Sequence, residues 1–198
     1  MTDLSSKRGH DKRDRLVAGA REVIHHQGVE KTTIADVAKA ADVPVGNVYY
    51  YFKTKDEIVD AAIESHADDV RALLASLDER HRTPQTKLKA LVAALTDQRE
   101  LAARYGCPLG SLCSELDKRV DGLDRTCAQL LGLPIEWAEE QFRLMGRRDA
   151  PELAVALLAS YQGIALLTNT FRDPELMTRQ ARRLERWIES LVEPTGPA

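Results

Sequence analysis

This 198-residue chain is expected to adopt an all-α fold, and three observations lead there. Apolar residues recur at three- and four-residue spacing from Leu16 to Leu191, the period of a helix with one buried face. No stretch shows the period-two alternation of a half-buried strand. Helix-start signatures punctuate the chain at Thr33 to Asp36, Thr54 to Glu57, Thr83-Pro84, Asp149 to Pro151 and Asp173-Pro174.

Residues 1–10 are polar and read as a disordered tail. Leu16, Ala20, Val23, Ile24 and Gln27 follow helical spacing, and Gly28 marks the stop. Thr33-x-x-Asp36 opens a short helix with Ile34, Val37 and Ala38 inward, ending within Ala40-Ala41-Asp42. Asp suits that turn because it tolerates left-handed geometry better than most non-glycine residues. Pro44 suits the start of a third helix running to about Tyr51. Three short helices, the last two joined tightly, make a helix-turn-helix at 33–52 within a domain spanning 11–53. A connecting helix, 54–77, follows through Ile58, Ala62 and Ser65.

The second domain, 78–198, continues in helices. Thr83-Pro84 starts one that uses Leu88, Leu91, Val92 and Leu95; Pro108 starts another with Leu109, Leu112, Cys113 and Leu116 on one face. From about Val120 to Arg147 the pattern is helical, with Gly132 and Pro134 expected to kink or split it. Asp149 and Asp173 cap the last two, and the final helix carries Leu176, Leu184, Trp187, Ile188 and Leu191. The total is about nine helices.

Net charge is −3, yet the chain up to Lys55 holds ten Lys/Arg against seven Asp/Glu. A mildly basic head on an acidic body suits a protein that presents one end to phosphates. No apolar run approaches the roughly 18 residues of a membrane span, and the N-terminus lacks a secretory pattern, so a cytoplasmic location with reduced thiols is expected. His25 and His26 are adjacent and point about 100° apart on a helix; His10, His66 and His81 lack ligand spacing. With no phosphate loop, nucleophile elbow or acid pair, the sequence predicts no metal, no cofactor and no catalytic activity.

The stretch "VPVGNVYYYFKTKDEI", residues 43–58, carries the sharpest functional signal. A recognition helix places its first residues at base edges and its flanks at phosphates. Gly46 removes a side chain where backbone approaches phosphate, Asn47 offers a donor and an acceptor, and Val45 can touch a thymine methyl. Tyr49 and Tyr50 can donate hydroxyls to phosphates, Lys55 can set an ammonium beside one, and Thr33 can do the same at the preceding helix start.

The run "TIADVAKAADVPVGNVYYYFKTKDEI" resembles the helix-turn-helix of the TetR family of bacterial transcriptional regulators over about residues 12–70. The shared pattern is a Thr-rich start, Ile-x-x-Val-Ala, Gly-x-Tyr-Tyr-x-Phe and Lys-x-Glu. The resemblance implies DNA contacts from Thr33, Val45, Gly46, Asn47, Tyr49, Tyr50, Tyr51 and Lys55. Two residues depart from the family pattern: Asp42 stands where Gly is usual, and Val45 fills a position often polar or basic. "GCPLGSLCSEL" and "YQGIALL" also resemble one branch of that family, implying a C-terminal helical ligand-binding and dimerisation domain.

The residues support pairing on their own account. Pro151 to Leu167 is apolar on nearly every face, so a helix there lacks a water-facing side in a monomer. The expectation is a homodimer through helices 151–168 and 174–192, an isologous contact that calls for a near-palindromic duplex operator. An effector pocket for a small molecule is expected among Leu91, Leu95, Cys107, Leu112, Cys113, Leu116, Trp137, Phe142 and Tyr161. The overall expectation is a repressor released by that effector. One alternative is a redox or electrophile sensor acting through Cys107, a thiol at a helix start; a more distant one is a helical small-molecule-binding protein or enzyme that does not act on DNA.

Overall fold

The structure, a computed structural model, describes residues 3–117 and 122–191, with side chains from residue 11 onward. Among the described residues it is all helical: α1 (Asp3–Gln27), α2 (Ile34–Ala40), α3 (Val45–Tyr51), α4 (Lys55–Arg80), α5 (Pro84–Thr96), α6 (Arg99–Tyr105), α7 (Pro108–Leu116), α8 (Leu123–Leu144), α9 (Ala150–Phe171) and α10 (Pro174–Ser190). Met1, Thr2, Val120 and Val192, which fell within expected elements, lie outside the described residues.

Two compact units emerge, Met1–Asp68 with Ser111–Leu130, and Asp69–Gly110 with Leu131–Ala198. The division therefore cuts the chain within α4, α7 and α8. In the first unit α2 packs on α1 and α3, and Leu16, Ala20, Val37, Val48, Phe52 and Ile58 are buried. Thr33 and Asp36 form a reciprocal capping box at α2, and Asp42 takes φ 52°, the left-handed turn expected of it. Pro44 sits one residue earlier than expected, as the N-cap of α3.

In the second unit Leu88, Phe142, Ala154, Leu157, Leu184 and Ile188 form the central cluster, with the Phe142 and Trp187 rings edge to face at 6.0 Å. A neighbouring cluster joins Leu74, Leu77 and Leu91 to Leu95 and Trp137. The Trp137 indole N–H donates to Asp78 Oδ2 at 3.0 Å, so its polar edge is satisfied while its rings pack. α10 is sharply two-sided: Met177, Ala181, Leu184 and Ile188 are buried, while Arg182, Arg183 and Arg186 face out.

Several expectations change. α1 begins at Asp3, so most of the segment expected to be a disordered tail is helical; no proline interrupts it, and extending an existing helix costs little compared with nucleating one. α8 runs through Gly132 and Pro134 unsplit, held on both sides of the proline by buried Leu130, Ala138 and Phe142. Asp149 precedes α9 without capping it through its side chain, because Arg147 engages both carboxylate oxygens, each at 3.0 Å. α6 is an additional helix that no capping signature announced. α9, at 22 residues, is long and apolar enough by length and composition to cross a membrane, contrary to the expectation from apolar runs alone. Replacing Phe142, fully buried among α8, α9 and α10 residues, with Ala is expected to cost about 3–5 kcal/mol, read as a lower midpoint in urea unfolding with an unchanged slope.

Candidate nucleic-acid interface

α3 is seven residues long and shows two different faces. Val48 is 0% exposed, whereas Val45, Tyr49 and Tyr50 are 43%, 48% and 79% exposed. Gly46 and Asn47 are exposed beside them, and no atom of the chain lies within 4 Å of where a Gly46 Cβ would stand. Tyr51 is half-buried and meets the Tyr50 ring edge-on, centroids 5.0 Å apart. The helix turns its polar and aromatic groups outward and anchors itself through one valine.

The flanking cations are positioned rather than loose. Lys53 Nζ donates to the Tyr49 carbonyl at 2.6 Å, satisfying one of the carbonyls a helix end leaves open. Its backbone N–H donates to Glu57 Oε2 at 2.7 Å, and Glu57 N–H donates to Thr54 Oγ1 at 3.2 Å. Lys53 is exposed and was not among the residues expected from sequence; its spacing to Lys55, immediately after the recognition helix, was the available signal. Lys55 is half-buried, with Nζ donating to the Glu30 carbonyl at 3.1 Å. Thr33 is exposed, but its hydroxyl donates to Asp36 Oδ2 at 2.6 Å and accepts the Asp36 N–H at 3.2 Å. These Thr33 hydrogen bonds hold the Asp36 carboxyl below its ordinary range. Its ionised form therefore supports the α2 cap above the ordinary carboxylate range, and that support is lost as pH falls through the lowered value.

A further clamp sets the entry to α2. Glu115 Oε2 accepts the Val29 N–H at 2.5 Å, and Thr32 Oγ1 donates to the Gly28 carbonyl at 2.6 Å. Gly28 has φ 85°, and a Cβ there would collide with the Glu115 carboxylate. Lys55 and Glu115 thus grip the same loop, one at Glu30 and the other at Val29. Nothing in the local pattern around Glu115 marks it for that role, since its partner lies 86 residues away.

The nine residues expected to line an effector pocket divide between the units. Leu91, Leu95 and Trp137 share one cluster, and Phe142 lies in the adjoining one. Cys107 and Tyr161 meet in a third, the Tyr161 hydroxyl 3.9 Å from Cys107 Sγ and the Gly110 N–H 3.4 Å from the same sulfur. Burial, followed by the neighbouring Cys107, pushes the Tyr161 phenol up, so it stays a neutral donor. Gln162 fills the space a Gly110 Cβ would need. The "GCPLG" and "YQG" stretches therefore touch each other, with the Gln162 amide lying over Gly110. Leu112, Cys113 and Leu116 belong to the other unit. Gln141 Oε1 and Thr168 Oγ1 are buried in the second unit with no hydrogen-bond partner among the described residues.

Comparison with known proteins agrees with this geometry. Residues 16–62 match the family model described as bacterial regulatory proteins, tetR family. The chain is 25% identical over 174 residues to the HTH-type transcriptional regulator TtgR of Pseudomonas putida, covering 83% of each. It is 29% identical over 174 residues to the HTH-type transcriptional repressor DhaR of a Mycobacterium species, covering 82% of this chain and 85% of that protein. A TetR transcriptional regulator from Chloroflexus aurantiacus superposes with TM-score 0.83 at 21% identity, covering 92% of this chain and 96% of that one. Gly28→Ala is expected to destabilise the protein by about 1–2 kcal/mol from its left-handed backbone alone; in a Glu115→Ala background the cost should shrink, a coupling measured by a double-mutant cycle of urea unfolding.

Proposed function

We propose that this chain, which belongs to the tetR family of bacterial regulatory proteins and is a DNA-binding transcriptional regulator, acts in the cytoplasm as a homodimeric repressor that a small molecule releases from a near-palindromic operator. The observation that carries the reading is the outward face of α3, where Val45, Tyr49 and Tyr50 stand exposed beside Gly46 and Asn47. Such a face matches a major groove: donor, acceptor and methyl-sized groups at the helix start, phenols toward the phosphates. Thr33, Tyr51, Lys53 and Lys55 are assigned to the flanking backbone. Lys53 and Lys55 already have carbonyl partners, which directs their ammonium groups without neutralising their charge.

Pairing is assigned to α9. Val155, Leu166, Leu167 and Phe171 are 45–66% exposed, and Ala156, Ala159 and Gly163 are exposed among them. At about 100° per residue these positions fall on one face, with small residues at its middle where two helix backbones would approach. Burying each large apolar side chain fully contributes about 1.5–3 kcal/mol. The basic outer face of α10 then borders the contact. Two-fold pairing sets the recognition helices about 34 Å apart, one duplex turn.

The effector is assigned to the second unit, around Leu91, Leu95, Trp137, Phe142, Cys107 and Tyr161. Gln141 supports that assignment: a buried acceptor without a partner costs about 1–3 kcal/mol, and a ligand donor would recover it. Release requires the ligand to favour the conformation that does not bind DNA. The DhaR relative is named a repressor, and occlusion of a promoter is the simplest outcome of tight operator binding.

Fluorescence anisotropy on duplexes from the chain's own upstream region should reveal salt-sensitive binding. Lys53→Ala is expected to reduce the slope of log affinity against log salt by about one; binding indifferent to salt, or to every duplex tried, would refute the reading. Leu166→Glu should give a monomer by analytical ultracentrifugation and weaken binding to a two-half-site duplex far more than to a single half-site.

A further inference from the structure

Two thiols in the first unit lie side by side without serving the DNA-reading face. Cys113, on α7, donates through Sγ to the Cys127 carbonyl of α8 at 3.6 Å. Cys113 is also the leading influence on the Cys127 thiol, lowering its pKa from the ordinary value against burial, which raises it. Cys113 is half-buried and Cys127 is 2% exposed. Cys113 is thus the more accessible residue of the two.

We propose that Cys113 and Cys127 are a redox-active pair that closes to an intramolecular disulfide when a hydroperoxide oxidises Cys113. The Cys113 thiolate attacks the peroxide oxygen, the O–O bond breaks, and the departing alkoxide or hydroxide takes a proton. Cys113 becomes a sulfenic acid. The Cys127 thiolate then attacks that sulfur, forming the S–S bond, and the expelled hydroxide leaves as water. In sum, two thiols and one hydroperoxide yield one disulfide, one alcohol or water, and one further water; the two electrons pass from sulfur to peroxide. A disulfide needs sulfurs about 2.05 Å apart and Cβ atoms about 3.5–4.5 Å apart. Cys113 Sγ already lies 3.6 Å from the Cys127 carbonyl, and closure requires it to leave that oxygen for the sulfur of the same residue. A reducing thiol pool reverses it by exchange. Cys107 is not a competitor within the pair, because its sulfur sits in the second unit against Tyr161 and Gly110. The bond would form two residues from Glu115, the group that holds the Val29 N–H.

The test treats full-length protein with equimolar hydrogen peroxide, blocks remaining thiols with N-ethylmaleimide and maps peptides without reduction. Trypsin leaves Cys107 and Cys113 in one peptide, so Cys107→Ser is mapped alongside the natural chain. The expected result is a linked pair of peptides carrying Cys113 and Cys127 in both proteins, lost on dithiothreitol and absent from Cys113→Ser and Cys127→Ser. In Cys127→Ser, checked for its helical circular dichroism, Cys113 should stop at a sulfenic acid trapped by dimedone; Cys127→Ala takes its place if that variant does not fold. A link that needs Cys107, a link only between two copies, or no disulfide after complete peroxide consumption would overturn the proposal.

Discussion

The burial of Val48 is the constraint on which the reading head depends. A seven-residue helix cannot hold itself in water, because nucleation fixes several residues for a single hydrogen bond. α3 therefore exists only while something outside it anchors one side. Val48 supplies that anchor, with Val43 and Phe52 buried at either end and the Arg13 guanidinium 5.3 Å from the Phe52 ring centre. Because the anchor occupies one stripe, the residues on either side of it are turned outward by helix geometry. The exposure of Tyr49 and Tyr50 is thus a consequence of sealing Val48, and both follow from one choice of register.

Short helices also need their ends satisfied, and the first unit does so mainly with side chains. Asp36 and Thr33 close the start of α2, Thr54 and Glu57 serve the start of α4, and Lys53 takes a carbonyl at the end of α3. The loop before α2 is held from two directions, by Lys55 at Glu30 and by Glu115 at Val29. Ionised or charge-assisted bonds of this kind are shorter and stronger than neutral ones. They orient the helix starts, so that the groups facing outward do so in a fixed arrangement rather than as a mobile loop.

What could be read from sequence was local. The Thr33 and Thr83 caps and the left-handed Asp42 each depend on residues within one or two turns, and the structure has them as expected. The features that escaped are those set at long range. Glu115 meets Val29 across 86 residues, and Asn169 and Arg172 donate to the Ala103 carbonyl across more than 60, fastening the end of α6 to the end of α9. α6 itself had no cap to announce it, and Arg172 takes the left-handed position that ends α9, where Gly or Asn is the usual occupant. Pro134 shows the converse: a strong local rule for breaking a helix yields where the residues on both sides are buried. The candidate pocket was least legible, because an apolar residue lining a cavity and one filling a core have the same spacing.

α9 brings composition and packing into direct conflict. By length and apolar content it qualifies as a bilayer span, yet Ala154, Leu157, Leu158 and Ala165 on one side of it are buried in the second unit. Withdrawing it into lipid would uncover the buried face of α10, whose other side is arginine-rich and could not turn inward to replace it. The helix is apolar all round for two separate reasons: one face completes its own unit, and the other carries exposed Val155, Leu166 and Phe171 around a strip of small residues. A lipid-facing surface needs no such strip, since hydrocarbon chains conform to any side chain. A surface meant for another helix does, because close backbone approach requires small groups where the axes meet. The distribution of size along the outer face, rather than its hydrophobicity, is what favours a second protein chain as its partner.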